Sequence, residues 1–549
     1  VLGGAPAVLA QEPEKSPTAR GTGGAAATVD ALATQAAIDT LSDGGNAVDA
    51  AVAAAGVLGV VEPFSCGIGG GGFMVIRSPD GDVTTIDGRE KAPATMKPDS
   101  FIEGGRPLAF DAARFSGLSA GVPGTPLTWS RALRKHGTVP LREALRPGIR
   151  AATRGYTVDQ TFFNAVEAVK DYFDDVPSTA AIYLDADGTS KDVGSTIRNP
   201  DMAKAYRLMA REGVRKGFYS GPVAEAMAAA ATDPPIAPSA NHTWRKGLMT
   251  TDDLRRYKAP ERPPVATEYR GLKVYGMGPP SSGGSTVAET LNILGGYSPL
   301  GSSRPEILHR YLEASRYAFA DRNAYLADPS FFDVPLEGLL SDSFATERRS
   351  LIAERAARSP VAAGNPYDDQ GSAGPAAANS ATISHPRQST THLTVADRRG
   401  MVVSYTFTIE STGGNGIVVP GYGFLLNNEL TDFNFDSTSH PNRAEGGKRP
   451  RSSMAPTIID RGKKPFLALG SPGGSTIIGT VLQMIVNRID LREPLPNAIA
   501  LPRAVERNTA TTQAEQGFIG SQVGRDLAGV YGHRFAPPAT PGEIGAATG

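Results

Sequence analysis

The sequence is poor in cysteine, in long apolar runs and in excess charge, and each shortage excludes a class of protein. Only Cys66 is a cysteine among 549 residues, so the chain cannot form an internal disulfide. No apolar run reaches the roughly 20 residues that a membrane-spanning helix needs, so we expect no membrane span. The formal net charge of -1 argues against a nucleic-acid partner, because proteins that bind nucleic acids usually carry a basic excess.

Histidine is also scarce, and the sequence predicts no cofactor. The seven histidines are scattered, and neither an HExxH nor a CxxC motif occurs, so a catalytic metal is not expected. The run Gly67 to Gly72 fits the G-x-G-x-x-G spacing of dinucleotide sites. Such a site needs a strand before the glycines and a helix after them, whereas here the order is reversed. The glycines are therefore interpreted as positions of close backbone packing.

The N-terminal residues suggest export. The stretch "VLGGAPAVLAQ" is similar to the end of a secretory signal, with Val8-Leu9-Ala10 as a small-residue cleavage site before Gln11. The alternative is an apolar, disordered leader. The following residues, 11–27, are rich in Pro, Gly, Ala and Thr and are typical of a flexible linker. We therefore predict a signal remnant and disordered linker over residues 1–29, and a secreted, periplasmic or extracellular location.

Helical and strand patterns follow one another from residue 30 onward. A helix is predicted after the N-cap Asp30, ending at Gly44, and the alanine-rich "NAVDAAVAAAGVLGVVEP" predicts a second, buried helix. The stretches "GFMVIRS" and "DVTTIDGRE" alternate as two strands across the turn "PDGD". Further helical patterns dominate the first two thirds of the chain.

The pattern changes between residues 362 and 378, where "AAGNPYDDQGSAGPAAA" has no periodicity and many breakers. This stretch is interpreted as a loop that either separates two domains or is cut. After it, "THLTVADRRGMVVSYTFTI" predicts two strands joined at "DRRG". The whole pattern indicates an α+β protein with helices packed on sheets.

Two hydroxyl groups are candidate nucleophiles. Ser119 lies in "GLSAG", which fits the nucleophile elbow G-x-S-x-G of α/β-hydrolases. An elbow must lead directly into a helix, but Pro123, Gly124 and Pro126 oppose a helix there. Ser119 is therefore interpreted as part of a turn.

Thr390 is the second candidate, at the start of "TTHLTV". A threonine becomes nucleophilic when it is N-terminal, because its own α-amine, with a pKa of about 7.7–8.0, then acts as the base. Exposing that amine requires cleavage after Ser389, and the breaker-rich stretch upstream suits a segment that is cut. The alternative is a pair of threonines that simply favour a strand.

Nine stretches in order resemble the γ-glutamyltranspeptidase family, and they cover the chain from about residue 30 to the end. They are "GGNAVDAAVA", "EPFSCGIGGGGFM", "DGREKAP", "GVPGT", "PPSSGG", "TTHLTV", "GFLLNNELTDF", "RPRSSMAPTI" and "GSPGGS". The resemblance implies an α+β fold, the four-layer αββα sandwich of the N-terminal nucleophile hydrolase type. It also implies a precursor that cuts itself into a large subunit, residues 30–389, and a small subunit, residues 390–549.

The resemblance also assigns catalytic roles. It makes Thr390 the nucleophile and places Thr408 on the second strand of the hairpin, where it would orient the Thr390 hydroxyl. Gly473 and Gly474 match the family's oxyanion hole, which needs backbone N–H donors that approach closely. Without the resemblance, these two glycines would be interpreted as an ordinary turn.

Six further residues match positions that bind the substrate's amino-acid head. Arg89, Ser452 and Ser453 would bind its α-carboxylate, because guanidinium binds carboxylate bidentately and hydroxyls add donors. The acids that match the ammonium site are Glu410, Glu429 and Asp432. Family members often carry asparagine at the position of Glu410, so three acids here would face one cation. Such crowding predicts either a raised carboxyl pKa or a Glu410 side chain turned away.

The resemblance implies a γ-glutamyl transferase/hydrolase that acts on glutathione and related small molecules. Its Thr390 acyl-enzyme would pass the glutamyl group to water or to an amino acid. The alternative is an amidohydrolase or acylase of the same fold that acts on another amide, such as a β-lactam side chain or an antibiotic intermediate. A non-catalytic secreted binding protein is the third possibility, and it predicts an intact chain.

Overall fold

The computed structural model describes residues 18–372, 374, 389–538, 544–545 and 547–549. The predicted cleavage site at Val8-Leu9-Ala10 lies outside these residues. Within them, no helix combines the length and the apolar character needed to cross a membrane.

A six-stranded sheet combines strands from before and after Thr390. Its strands are β1 (Gly24–Ala27), β2 (Gly71–Arg77), β3 (Val83–Gly88), β8 (Glu261–Arg262), β11 (Thr391–Asp397) and β12 (Val402–Thr408). Their spatial order is β1-β11-β12-β2-β3-β8, and all neighbours are antiparallel. The hairpin that follows Thr390 therefore lies in the middle of a sheet made largely by the preceding segment, and the two segments form one unit.

A four-stranded sheet packs against the first sheet. It contains β9 (Val265–Tyr269), β10 (Leu272–Gly276), β13 (Thr457–Arg461) and β14 (Lys464–Leu469), in the order β14-β13-β10-β9. The smaller sheets contain β4 (Ile102–Glu103), β5 (Arg106–Pro107), β6 (Tyr156–Thr157), β7 (Thr196–Ile197), β15 (Ala504–Val505), β16 (Thr512–Ala514) and β17 (Phe535–Ala536).

One group of helices lies before residue 233. They are α1 (Ala31–Ser42), α2 (Ala47–Val61), α3 (Phe110–Arg114), α4 (Thr125–His136), α5 (Leu141–Ala144), α6 (Arg146–Arg154), α7 (Gln160–Glu167), α8 (Lys170–Phe173), α9 (Pro177–Tyr183), α10 (Pro200–Gly217) and α11 (Gly221–Thr232).

The remaining helices lie on both sides of Thr390. They are α12 (Thr251–Arg256), α13 (Gly283–Gly295), α14 (Arg304–Tyr325), α15 (Leu336–Leu339), α16 (Asp342–Ser350), α17 (Pro366–Asp369), α18 (Thr476–Ile489), α19 (Leu495–Ala500), α20 (Gln516–Ile519) and α21 (Gln522–Gly529). Two 3-10 helices cover Gly117–Ser119 and Glu429–Asp432.

The elements stack in four layers. Helix α2 packs on β11 and β12. On the other side, α13 packs on β9 and β10, and α18 packs beside α13. Between these helical layers the two sheets face each other, with β12 against β13 and β14. Val75 and Val402 of the first sheet are buried against Ile458 and Ala468 of the second. The predicted αββα sandwich is therefore present.

Local sequence explains the first two helices. Asp30 caps α1, because its carboxylate accepts hydrogen bonds from the amides of Leu32 and Ala33. Asn46 and Asp49 form a capping box at the start of α2. Every residue of α2 is buried, as its near-absence of charge predicts.

The glycine run after α2 serves close packing, as predicted. A Cβ at Gly69 would lie 2.0 Å from the carbonyl oxygen of Leu425, and one at Gly70 would lie 1.9 Å from that of Thr408. Only glycine fits these two positions, because real Cβ atoms never approach so closely. The run thus lets the backbone beside Thr408 come near the start of β2.

Two predictions about disordered or loop segments are wrong in part. The predicted disordered linker ends earlier than residue 29, because residues 24–27 form β1 and pair with β11. The breaker-rich stretch 362–378 contains the short helix α17, and its last residues lie outside the described ranges. In both places backbone pairing or packing with distant segments outweighs a composition that favours turns.

Candidate active site

Strand register brings Thr390 and Thr408 together. Thr391 is opposite Phe407 in the β11–β12 pair, so the preceding residue lies opposite Thr408. Side chains alternate between the two faces of a strand, and Thr390 therefore shares a face with His392, whereas Thr391 points to the other face. Of the two adjacent threonines, Thr390 is therefore the one whose side chain lies on the same face as that of Thr408.

The Thr390 hydroxyl lies beside the peptide bond that precedes it. Its oxygen is 2.6 Å from the carbonyl oxygen of Ser389 and 3.1 Å from the Thr408 hydroxyl. Thr390 is 9% exposed, so the group sits near the surface of a cavity rather than in open solvent.

Thr408 connects the hydroxyl of Thr390 to the Ser389 carbonyl. Its hydroxyl donates to the Ser389 carbonyl oxygen at 2.7 Å and accepts from the amide of Glu410 at 2.8 Å. Its second lone pair accepts from Thr390 when that hydroxyl turns toward it. Thr408 thus contacts both the Thr390 hydroxyl and the Ser389 carbonyl oxygen.

Ser389 is held at two further points, which the sequence did not predict. Its amide donates to the Glu410 carbonyl oxygen at 2.8 Å, and its hydroxyl lies 2.7 Å from the hydroxyl of Ser65. Ser65 belongs to the loop that leads into the glycine run. These contacts fix the residue on the acyl side of the peptide bond.

His392 is not placed to act as the base. Its ring is fully buried, with Nδ1 2.8 Å from the Thr406 hydroxyl and Nε2 3.1 Å from that of Thr394. Burial lowers the pKa of His392 to about 3, so the ring is neutral at physiological pH. Its contact with Thr406 instead ties β11 to β12.

An open cleft is lined by Thr390. Nine of the ten site residues expected from the sequence line it: Arg89, Thr390, Thr408, Glu410, Glu429, Asp432, Ser452, Ser453 and Gly474. The tenth, Gly473, directly precedes Gly474. The structure therefore brings the whole set together, although their chemical roles stay predictions. Arg322, Arg451 and Met454 line the same cleft and were not expected.

Arg89 is engaged by acids in this structure. One terminal nitrogen donates to Glu429 and the other donates to Asp432 at 2.5 Å. Its side chain is 1% exposed, and it also donates to the carbonyl oxygens of Pro450 and Arg451. Burial acts to lower the pKa of Arg89, but Glu429, Asp432 and Glu90 outweigh it and raise that pKa. Arg89 therefore stays charged.

The carboxyl groups around Arg89 are crowded. Burial raises the pKa of Glu90 to about 7, although Arg89, 3.9 Å away, acts to lower it. Burial also raises the pKa of Glu429 well above its ordinary value, with Glu90, Asp432 and Glu410 adding to the effect. Burial therefore favours the protonated forms of Glu90 and Glu429.

Glu410 is held in its own network. Its carboxylate accepts hydrogen bonds from the Ser411 hydroxyl and, at 2.6 Å, from the amide nitrogen of Asn428. Its φ of 79° is unusual for a residue with a side chain and costs about 1–3 kcal/mol. The backbone there carries both the amide bound to Thr408 and the carbonyl bound to Ser389, which gives a reason for keeping the strain.

The paired serines form the wall opposite the hairpin. The Ser453 hydroxyl accepts from Arg322 at 2.7 Å, and the Ser452 hydroxyl accepts from the amide of Met454 at 3.1 Å. The Ser452 carbonyl oxygen accepts from both the amide and the hydroxyl of Ser282, at 2.8 and 2.6 Å. The segment is therefore fixed by "PPSSGG", a motif whose job the sequence left open.

Gly473 and Gly474 precede helix α18 with positive φ angles of 124° and 55°. Neither amide donates a hydrogen bond to any part of the chain that the structure describes. The first amides of a helix carry partial positive charge and bind anions. The two glycines thus offer unused N–H donors at the edge of the cleft.

Ser119 has a structural role, as its surroundings predicted. It is fully buried at the end of a 3-10 helix, and its hydroxyl donates to the carbonyl oxygen of Arg114 at 2.6 Å. It does not line the cleft around Thr390.

The chain matches a known protein family and several characterised proteins. The family model described as Gamma-glutamyltranspeptidase matches residues 33–549. The chain is 37% identical over 538 residues to the glutathione hydrolase proenzyme of Bacillus subtilis strain 168, which covers 96% of this chain and 87% of that protein.

Acylases are also similar. The acylase ACY 1 proenzyme of Pseudomonas sp. strain V22 is 37% identical over 502 residues, covering 89% of this chain and 83% of that protein. The crystal structure of cephalosporin acylase from Bacillus halodurans matches with a TM-score of 0.83 and 28% identity, covering 98% of this chain and 94% of that one. The predicted N-terminal nucleophile hydrolase fold is thereby confirmed. The chain is an enzyme of the γ-glutamyltranspeptidase family.

Proposed function

We propose that the chain is a precursor that cuts itself between Ser389 and Thr390, and that the new N-terminal Thr390 then cleaves γ-glutamyl amides such as glutathione. One observation carries the proposal. The hydroxyl of Thr390 lies at one end of a cleft whose other walls hold a guanidinium, paired hydroxyls and clustered carboxylates. These groups complement the carboxylate and the ammonium of an amino-acid head.

Self-cleavage begins with attack of the Thr390 oxygen on the Ser389 carbonyl carbon. The C–N bond breaks, an ester to the Thr390 side chain forms, and the peptide nitrogen takes up a proton as the new α-amine. Water then hydrolyses the ester and leaves Ser389 with a carboxylate. The Thr408 hydroxyl, 2.7 Å from the carbonyl oxygen, stabilises the negative charge that develops there.

Turnover repeats the same chemistry on a substrate. The free α-amine of Thr390 removes the hydroxyl proton as the oxygen attacks the γ-carbonyl, and the proton passes to the departing amine. The glutamyl ester that remains is transferred to water or to the amine of an amino acid. The unused amides of Gly473 and Gly474 are the donors for the oxyanion.

Substrate recognition exchanges ion pairs. Without substrate, Arg89 satisfies Glu429 and Asp432. A zwitterionic head offers a carboxylate to Arg89 and an ammonium to the acids, so each internal group gains a partner of opposite charge. Because the arrangement pairs charges in both states, an acyl group lacking either charge leaves a buried group unpaired, which is costly.

The acylase alternative is supported by the similarity to acylases. It predicts an acyl group without an ammonium, such as glutaryl. In that case Glu429 and Asp432 would face no cation other than Arg89, and the substrate's carboxylate would compete with them. The acids Glu429 and Asp432, which would have no ammonium to bind, therefore favour the γ-glutamyl substrate.

Two measurements test the proposal. Intact-mass analysis of the purified protein should show two chains that meet at Ser389/Thr390, and Thr390→Ala should stay intact and inactive. Purified enzyme should hydrolyse γ-glutamyl-p-nitroanilide much faster than glutaryl-p-nitroanilide. Faster turnover of the glutaryl compound would support the acylase instead, and cleavage of the Thr390→Ala protein would refute self-cleavage by this residue.

Export is a further part of the proposal. It is supported by the apolar residues that end in Val8-Leu9-Ala10, which resemble the end of a secretory signal. N-terminal sequencing of the protein recovered outside the cytoplasm should find a start at or after Gln11. Recovery of the full-length leader in the cytoplasm alone would contradict it.

A further inference from the structure

We infer that Arg322 is a positioning and specificity residue: it orients the Ser453 hydroxyl and supplies the buried positive charge that receives the substrate's α-carboxylate. The inference rests on the proposed function. It deepens that function, because it identifies a cation that the sequence motifs of the site do not include.

Arg322 lies on α14 and has only neutral partners. Its guanidinium donates to the hydroxyl of Ser282 at 2.8 Å, to the side-chain oxygen of Asn323 at 2.9 Å and to the hydroxyl of Ser453 at 2.7 Å. The residue is 4% exposed and lines the cleft. Among the described residues, no carboxylate lies within ion-pair distance of it.

The neighbouring buried arginines differ from Arg322 in this respect. Arg316, on the same helix, pairs with Glu313 at 3.0 Å, and Arg348 pairs with Asp321 at 2.9 Å. A buried charge without a counter-ion costs several kcal/mol. Burial, and next the charge of Arg451, lower the pKa of Arg322. An anion entering the cleft would remove this cost.

Arg451 strengthens the positive wall. It directly precedes the paired serines, and one of its nitrogens donates to the carbonyl oxygens of Arg322 and Asn323 at 3.1 and 3.3 Å. It too lacks a carboxylate partner in the described part of the chain. The contact ties the serine segment to the end of α14, so Arg322 and Ser453 keep a fixed separation.

The hydrogen bond from Arg322 determines whether the Ser453 hydroxyl acts as a donor or an acceptor toward the cleft. A guanidinium only donates, so the Ser453 oxygen accepts from it. The serine proton is then free to point elsewhere, and the cleft lies beside it. Ser453 thus presents a donor, which suits a carboxylate and not an ammonium. Arg322 also donates to Ser282, whose hydroxyl in turn donates to the Ser452 carbonyl oxygen at 2.6 Å.

Arg322 adds positive charge that is not already paired with acids, unlike that of Arg89. Both terminal nitrogens of Arg89 donate to acids, so its charge is already balanced before substrate enters. The uncompensated positive charge of the cleft is at Arg322 and Arg451. A carboxylate that binds Ser453 would lie close to Arg322, in the cleft that Arg89 also lines.

The test compares two substrates that differ only in the carboxylate. The values of kcat/KM for γ-glutamyl-p-nitroanilide and 4-aminobutyryl-p-nitroanilide are measured for wild type, Arg322→Gln and Arg322→Lys. Loss of a charge-assisted hydrogen bond predicts that Arg322→Gln lowers the preference for the carboxylated substrate by about 10- to 100-fold, mainly through KM. Arg322→Lys keeps the charge but loses the planar guanidinium with its fixed N–H donors. We therefore expect its substrate preference to lie between those of wild type and Arg322→Gln.

The matched control is Arg310→Gln. Arg310 lies on the same helix, does not line the cleft and forms an ion pair of 2.6 Å with Glu306. The substrate preference of Arg310→Gln should therefore equal that of wild type. An equal loss on both substrates in Arg322→Gln would show a merely structural role and overturn the inference. If Arg322→Gln is not cleaved into two chains, Arg322→Lys decides: an unchanged preference overturns the inference.

A double-mutant cycle gives a second measurement. Ser453→Ala should lower the preference for the carboxylated substrate, and adding Arg322→Lys to it should lower the preference by less than the product of the two single effects. Independent effects would overturn the claim that Arg322 acts through Ser453. Failure of the wild-type enzyme to cleave either anilide would instead refute the proposed function.

Discussion

The Thr408 hydroxyl donates a hydrogen bond of 2.7 Å to the carbonyl oxygen of Ser389, whose peptide bond precedes Thr390. The same hydroxyl lies 3.1 Å from that of Thr390. One side chain therefore contacts both the attacking oxygen and the oxygen that becomes negative. In the proposed self-cleavage, this arrangement would assist attack by Thr390 before its α-amine is free.

Replacing Thr408 by valine should slow self-cleavage by about 100-fold or more, because a donor to the developing oxyanion is lost at nearly constant shape. Thr408→Ser keeps the hydroxyl and should cleave at a rate close to wild type. The measurement is the appearance of the two chains over time by intact mass. Wild-type cleavage by the valine variant would contradict the role of this hydroxyl.

Ser65→Ala should slow self-cleavage by about 3- to 10-fold, since one hydrogen bond that holds Ser389 is worth about 1 kcal/mol. The partner variant Ser389→Ala removes the same contact from the other side. The double variant should then be no slower than either single one. Additive slowing in the double variant would show that the contact between the two hydroxyls is not what matters.

Arg89→Ala should chiefly raise KM for γ-glutamyl-p-nitroanilide, because a carboxylate contact exists in both the ground state and the transition state. It also leaves Glu429 and Asp432 without their cation, so the thermal midpoint should fall. Arg89→Lys is the control that keeps the charge and should lose less in both measurements. A fall in kcat alone, with KM unchanged, would contradict the binding role.

The pKa of Glu90 predicts a pH-dependent stability. Because its folded value of about 7 lies above its ordinary value of 4.5, folding favours the protonated form. The stability from this group is fully present below the ordinary value and is lost as pH rises through about 7. The loss is at most about 3 kcal/mol.

Glu90→Gln isolates this effect, because glutamine does not ionise. Thermal midpoints measured from about pH 5 to pH 8 should fall less steeply in this variant than in wild type. Equal slopes for the two proteins would show that Glu90 does not hold the proton. Wild type should also lose part of its slope when glutamate is bound, since an ammonium in the cleft favours the ionised carboxyls.

Much of the fold follows from short-range patterns. Helix α1 begins after its capping residue Asp30, and β2 and β3 follow the alternation of their side chains. The wrong expectation concerned residues 24–27, where Gly and Ala are weak strand formers. They form a strand because β11 offers an unpaired edge, and a composition argument has no access to that partner.

The candidate site was predicted only as a set of residues. The motifs located Thr390, Arg89 and the paired serines, and the structure gathers them around one cleft. The motifs missed Arg322, although the polar run "ADRN" within a helix that is almost wholly buried was a usable indication. A buried polar stretch needs partners, and here the partners are the serines of the site.

The sequence by itself determined which residue types carry the chemistry and where helices and strands begin, because capping, periodicity and motif spacing act over a few residues. Only the tertiary structure decided that Arg89 meets Glu429, 340 residues away, and that Ser65 meets Ser389, 324 residues away. The physical reason is that ion pairs and hydrogen bonds depend on distance in space. A chain folded into stacked sheets brings together groups that no local pattern connects.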